Sequence, residues 1–145
     1  LVHSHAGSLV TFERRQFIQV SRADKDCALF GPYLKLPPGD YFVQFEILLE
    51  SVWNLAPHDV VCRLDVAAGA GSEVIASVDV EVGQLRPGAP TKIRLPFAID
   101  DPKEQLEFRV WPCGKTAFAA ALERRVEGAI ATAEPARGPR LNAAM

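Results

Sequence analysis

The 145 residues are enough for one domain with a single buried core that needs no metal or disulfide staples. Hydrophobic residues make up 48% of the chain, and 16 basic against 18 acidic side chains leave a net charge of −2, so nothing points to nucleic acid or an anionic membrane as partner. No apolar run approaches the roughly 20 residues of a membrane-spanning helix, and membrane insertion is not expected.

Two short β-prone runs open the chain, residues 9–12 and 16–20, split by Glu13, Arg14 and Arg15, and are expected to supply an edge strand or two. Residues 30–47 then read as two strands joined at Pro38-Gly39, with proline presetting one turn position and glycine supplying the positive φ of a type II turn. Past that turn Tyr41, Val43, Phe45, Ile47 and Leu49 point one way while Asp40, Gln44, Glu46 and Glu50 point the other, the alternation of a strand with one buried face. Residues 52–59 carry Pro and Asn and break the pattern as a loop. Alternation returns in Val60, Cys62, Leu64 and Val66 and again in Val74, Ala76, Val78, Val80 and Val82. The Gly-rich residues 68–72 between these runs predict a hairpin.

A turn cluster at residues 86–90 leads into a strand with Thr91, Ile93, Leu95 and Phe97 inward and Lys92 and Arg94 opposite. After a turn at Asp100-Asp101-Pro102-Lys103, Leu106, Phe108 and Val110 alternate with Glu107, Arg109 and Trp111 until Pro112-Cys113-Gly114 stops the run. A last strand is expected over residues 117–125, blurred by alanines that also favour helix. Strands at this spacing, without amphipathic helices between them, predict an all-β, antiparallel two-sheet β-sandwich of the jelly-roll kind with about eight strands. The sandwich is expected over residues 1–126, and residues 127–145 read as an Ala/Pro/Arg-rich tail or linker with room for a short helix near 128–133. The chain begins at Leu1 without an initiator methionine or a signal-peptide core, and it reads as a module of a longer protein.

Chemistry-bearing motifs are sparse. Cys27, Cys62 and Cys113 form an odd set without a C-x-x-C pair, which argues against a disulfide framework and a zinc site and for a reducing, cytoplasmic setting. His3 and His5 sit at a terminus with no companion ligand, and His58-Asp59 has no serine in a nucleophile elbow, so no catalytic or metal residue is assigned. Gly69 and Gly71 lack the lysine and helix of a phosphate loop and suit a hairpin turn. Acid pairs occur at Asp100-Asp101, at Asp24 with Asp26, and at Asp65 across the hairpin from Asp79. Two acids in a loop can chelate calcium, but a calcium site takes six or more oxygens and these pairs supply two, so no cofactor is expected.

If Phe108, Val110 and Leu64 point inward, Arg109, Trp111, Arg63 and Asp65 point outward, and Trp53 lies in the long loop. Aromatic platforms beside Arg and Asp suit sugars, whose C–H faces stack on rings while hydroxyls meet forked hydrogen bonds. The same residues also fit a plain structural role, with Trp111 capping the sandwich edge and Arg63 pairing with Asp65 or Glu46.

Residues 31–43, Gly-Pro-Tyr-Leu-Lys-Leu-Pro-Pro-Gly-Asp-Tyr-Phe-Val, and residues 106–111, Leu-Glu-Phe-Arg-Val-Trp, resemble the β-sandwich accessory domains attached to bacterial glycosyltransferases and related polysaccharide-biosynthesis proteins. The resemblance spans residues 28–125 and rests on turns and core positions. Such domains are similar to galactose-binding-like and carbohydrate-binding jelly rolls. The resemblance implies a non-catalytic carbohydrate-binding or accessory module, with a glycan or polysaccharide as partner and a linked catalytic domain nearby. Trp53, Arg63, Asp65, Arg109 and Trp111 are the candidate glycan contacts. The alternative is a structural or protein-interaction sandwich that uses a strand edge or an apolar patch including Phe42 and Leu48.

Overall fold

A computed structural model describes residues 7–128, which form ten strands and one short 3-10 turn. The strands are β1 (Ser8–Phe12), β2 (Arg15–Val20), β3 (Pro32–Leu36), β4 (Gly39–Leu48), β5 (Val60–Ala68), β6 (Glu73–Glu81), β7 (Thr91–Ile99), β8 (Lys103–Pro112), β9 (Phe118–Ala121) and β10 (Arg125–Gly128). All pairing is antiparallel, in two sheets, as the alternation predicts. The strand count exceeds the expected eight, in part because the last expected strand, residues 117–125, ends at Ala121 as β9 and a separate β10 starts at Arg125.

β4 is the hub of the larger sheet. One edge pairs with β7 from Gly39 to Ile47. The other edge meets β10 at Tyr41 to Gln44 and β9 at Ile47 and Leu48, so β9 and β10 share a single lane. β2 then flanks β9, and β1 flanks β2. The second sheet runs β3-β8-β5-β6.

The inner faces are those read from the sequence. Tyr41, Val43, Phe45, Ile47 and Leu49 are buried from the first layer, and Cys62, Leu64, Val66, Leu106, Phe108 and Val110 from the second. Fully burying each large apolar side chain contributes roughly 1.5–3 kcal/mol relative to leaving it exposed. Aromatic contacts tie the layers: Tyr41 stacks on Phe97 at 5.4 Å, and Phe97 meets Phe108 of the opposite sheet at 6.0 Å. β6 departs from the expected inward set because it is an edge strand with register shifts, and Val74 is exposed while Val80 is buried.

The strands before and after Pro38-Gly39 are real, but they are not a hairpin. β3 belongs to one sheet and β4 to the other. Pro37 and Pro38 have no N–H to give a ladder, which favours a crossing over a paired turn. Gly39 takes φ +155°, far from the roughly +80° of a type II turn. The Tyr41 hydroxyl donates to Pro37 O at 2.7 Å, and its ring lies over Gly39, which fixes the crossing.

Outside the larger sheet a second, small apolar cluster joins Phe17, Leu48, Ala119 and Ala121, with Phe12 packed against it. Leu48 is therefore buried, and Phe42 lies beneath the Arg94 guanidinium at 3.7 Å, so the two do not form a free apolar patch.

Between β9 and β10 the chain bulges, and Arg124, 7% exposed, turns inward there. Its Nε donates to Leu122 O and its Nη1 donates to Gly31 O and Phe108 O, in the opposite layer. Burial pulls the guanidinium down to about 10, and carbonyl oxygens are its hydrogen-bond partners. Arg124→Met keeps the volume and strands Phe108 O, worth about 1–3 kcal/mol when left buried and unpaired, whereas Gly31 O keeps its bond from Phe108 N. Urea titration is expected to show a loss of about 1–3 kcal/mol, against under about 0.5 kcal/mol for exposed Arg125→Gln; an unchanged midpoint for Arg124→Met would refute the bridge.

Candidate functional site

The outer face of the four-stranded sheet gathers four of the five candidates. Strand register sets Arg109 opposite Asp65 and Trp111 opposite Arg63, and across the hairpin Arg63 faces Asp79 while Asp65 faces Ser77. Asp79 is thus the cross-strand partner of Arg63, not of Asp65. The pairs are made accordingly. Arg109 Nε and Nη2 donate to the two Asp65 oxygens at 2.8 and 2.9 Å, and Arg63 Nε donates to Asp79 Oδ1 at 2.9 Å. The Arg109 guanidinium also lies over the Trp111 ring at 5.1 Å. With Val60, Pro112 and Cys113 these side chains line a hollow of about 500 Å³.

This face is more closed than outward alternation implies. Asp65 is 4% exposed and Glu107 equally so, with Glu107 Oε1 accepting from Gly31 N at 3.4 Å. The β5–β6 turn presses from the side: a Cβ on Gly71, at φ +93°, would stand 3.2 Å from Arg109 Nη1. Asp65 and Arg109 satisfy each other, so their first role is to hold the sheet.

Trp53 lies elsewhere, on the loop between β4 and β5, and is 83% exposed. Arg22, Trp53, Asn54, Leu55, Asp59, Gly114, Lys115 and Thr116 line a hollow of about 350 Å³, fed by three separate connections. Tight turns hold the loop: Leu55 N donates to Val52 O at 3.0 Å, Asp59 N to Ala56 O at 3.0 Å, and Trp53 N to Ser51 Oγ at 3.1 Å. The 3-10 turn ties it down further, with Gly83 N donating to Pro57 O at 2.8 Å and Val82 N to Asp59 O at 2.9 Å. Ala56 N donates to Asp59 Oδ2 and Lys115 Nζ lies 3.5 Å from Oδ1; that backbone bond, then the ammonium, holds the carboxyl below the usual range. The two hollows are neighbours, since Asp59 and Gly114 of one adjoin Val60 and Cys113 of the other in sequence. Sequence reasoning missed Arg22, Asn54, Asp59, Lys115 and Thr116 as neighbours, because nothing local marks which loops share one end of a sandwich.

The remaining motifs resolve simply. His58 Nδ1 sits 3.1 Å from Glu81 Oε1 at the surface. Cys27, Cys62 and Cys113 are free; burial pushes the Cys27 thiol up to about 12 and raises the other two. Asp24 accepts from its own turn at Ser21 N, and among the described residues no group of three or more His, Cys, Asp or Glu is placed to hold a metal ion. His3, His5 and the tail from 129 lie outside the described residues. On the opposite layer's outer face, Arg15 donates both terminal nitrogens to Glu46 at 2.7 Å.

No protein-family model matches the chain, and no curated protein matches it. Among solved structures it is similar to a carbohydrate-binding module, CBM6cm-2, from Cellvibrio mixtus lichenase 5A in complex with cellotriose, at 11% identity and a TM-score of 0.52, over 86% of this chain and 88% of that one. Weaker likenesses are the C-terminal CBM6 of LamC, a marine laminarinase from Zobellia galactanivorans (10% identity, TM-score 0.45, 86% of each chain), and the EclA C-terminal domain, a sugar-binding protein (14% identity, TM-score 0.44, 84% of each chain). At such identities the first likeness establishes the fold, a jelly-roll β-sandwich.

Two outcomes test the electrostatics. Asp65→Asn leaves the Arg109 cation half-paired in a largely buried site and is expected to cost about 3 kcal/mol in chemical denaturation. Exposed Asp79→Asn should cost under about 1 kcal/mol, and equal losses would contradict the burial difference. The hydrogen bond from Arg15 lowers the Glu46 carboxyl, so its stabilisation is complete above the ordinary carboxylate range and drains away as pH falls through the lowered value. Glu46→Gln should therefore lower the melting temperature at pH 7 and converge on the wild type in acid; a constant gap across pH would refute that linkage.

Proposed function

We propose that this chain is a non-catalytic carbohydrate-binding module whose sugar site is the loop hollow around Trp53. The observation that carries the reading is an indole 83% exposed on a loop held by its own turns, with Asn54, Asp59, Lys115 and Thr116 beside it. An exposed indole offers a flat apolar face with one polar edge, the shape on which a ligand with a flat apolar side stacks. A pyranose offers that surface in its C–H face, with hydroxyls at its rim for the amide, carboxylate and ammonium. Pre-formed loop geometry reduces the ordering cost of binding. A fold neighbour described in complex with cellotriose supports the same reading by analogy.

Trp111 serves less well as a platform, because Arg109 already covers it. Arg63, Asp65, Arg109 and Trp111 act in this reading as a supporting wall next to the sugar. The biological role is that of an accessory unit in a larger polysaccharide-related protein, of the glycosyltransferase-associated kind, where tethering raises the local glycan concentration at a linked catalytic domain.

The protein-interaction alternative draws on β1, where Leu9 is 59% and Val10 37% exposed on the outermost strand. Isothermal titration against a panel of soluble oligosaccharides separates the readings. Wild type should bind at least one saturably, Trp53→Ala should lose about tenfold or more in affinity, and Trp111→Ala should lose less than about threefold. No binding across the panel, with a concentration-dependent dimer in sedimentation, would favour the protein-interaction reading.

A further inference from the structure

The charges around Trp53 narrow the ligand class. In the hollow's lining, Arg22 and Lys115 are the cations and Asp59 is the acid. Asp59 is engaged twice over, by Ala56 N and by Lys115. Arg22, by contrast, has no hydrogen-bond or ion-pair partner among the described residues. A third cation flanks the site: the Lys25 stem crosses Gly114, where a Cβ at φ +77° would stand 2.8 Å from Lys25 Cε. Of the two acids on the same connection, Asp24 is turned onto its own backbone at Ser21 N, and Asp26 stands exposed beside Lys25. Within the hollow's own lining two cations stand against one acid, and with Asp59 held by Ala56 N and Lys115, the Arg22 guanidinium is the charge left available beside the exposed indole.

Resting on the glycan reading above, we infer that the hollow takes an acidic sugar, one bearing a carboxylate, with the ring stacked on Trp53 and the carboxylate received by Arg22. A guanidinium presents two parallel N–H donors that match the two oxygens of a carboxylate. No neutral hydroxyl makes equal use of that fork. Lys115 stays with Asp59 and adds a point charge behind it. The sheet-face arginines are excluded from this role, since Arg109 and Arg63 already hold Asp65 and Asp79.

The probes are uronate oligosaccharides of the galacturonate, mannuronate, guluronate and glucuronoxylan types, each paired with its carboxyl-reduced neutral form, titrated calorimetrically at low and high salt. At least one uronate should bind about tenfold more tightly than its reduced twin, with an advantage that shrinks as salt rises. Arg22→Gln should erase that advantage, costing the uronate about tenfold and its reduced twin less than about threefold, with little change in melting temperature, because Arg22 has no side-chain partner among the described residues to lose. Equal affinity for charged and reduced forms, or an advantage that survives Arg22→Gln, overturns the inference and leaves the glycan reading standing. Absence of binding to every member of both sets overturns the glycan reading and this inference together.

Discussion

Everything in the molecule is placed relative to β4, because that strand is hydrogen-bonded along both edges while one of its faces is sealed. Its ladder with β7 runs nine residues without a shift, and its other edge carries both β9 and β10. A one-residue slip would expose Tyr41, Val43, Phe45 and Ile47 together and bury Asp40, Gln44 and Glu46 in their place. No neighbouring strand could move without that exchange. The opposite layer is then located by what it must cover, with Phe97 and Phe108 in contact across the gap.

This rigidity leaves the two outer faces and the loop ends as the places where chemistry varies. The outer face of the four-stranded sheet is held by cross-strand ion pairs that fill much of its polar capacity. The loop end differs in kind: three connections distant in sequence converge on a tryptophan that the fold itself leaves uncovered. In the proposed reading scaffold and recognition are thereby separated, as is common where binding residues ride on loops above a packed core.

Period-two alternation made β4, β5 and β8 legible, since each buries one face and carries few interruptions. It failed at β6, where edge position and shifted register weaken the burial pattern, and at the alanines of β9, which are too small to signal a face yet are buried on both. The crossing at Pro38-Gly39 looked like a hairpin because local turn chemistry is the same whether the next strand pairs or changes layer. Among the candidate site residues, Arg63, Asp65, Arg109 and Trp111 were legible as a group because strand alternation gives them a common side. Trp53 was visible as a loop aromatic, but its companions Arg22 and Lys115 sit on other connections, and convergence of loops is a tertiary fact with no local signature. Arg124 carried no sequence signal either, since an arginine beside another arginine ordinarily reads as solvated.

Arg124 also changes how the two layers behave as solids. Apolar surfaces pressed together resist separation but oppose sliding only through the fit of their bumps. A guanidinium that reaches from one layer to carbonyl oxygens of the other adds directional bonds, and these weaken steeply with misalignment. Shear between the sheets is therefore penalised at a named point, and the offset that sets where the loops end is held by polar geometry as well as by grease.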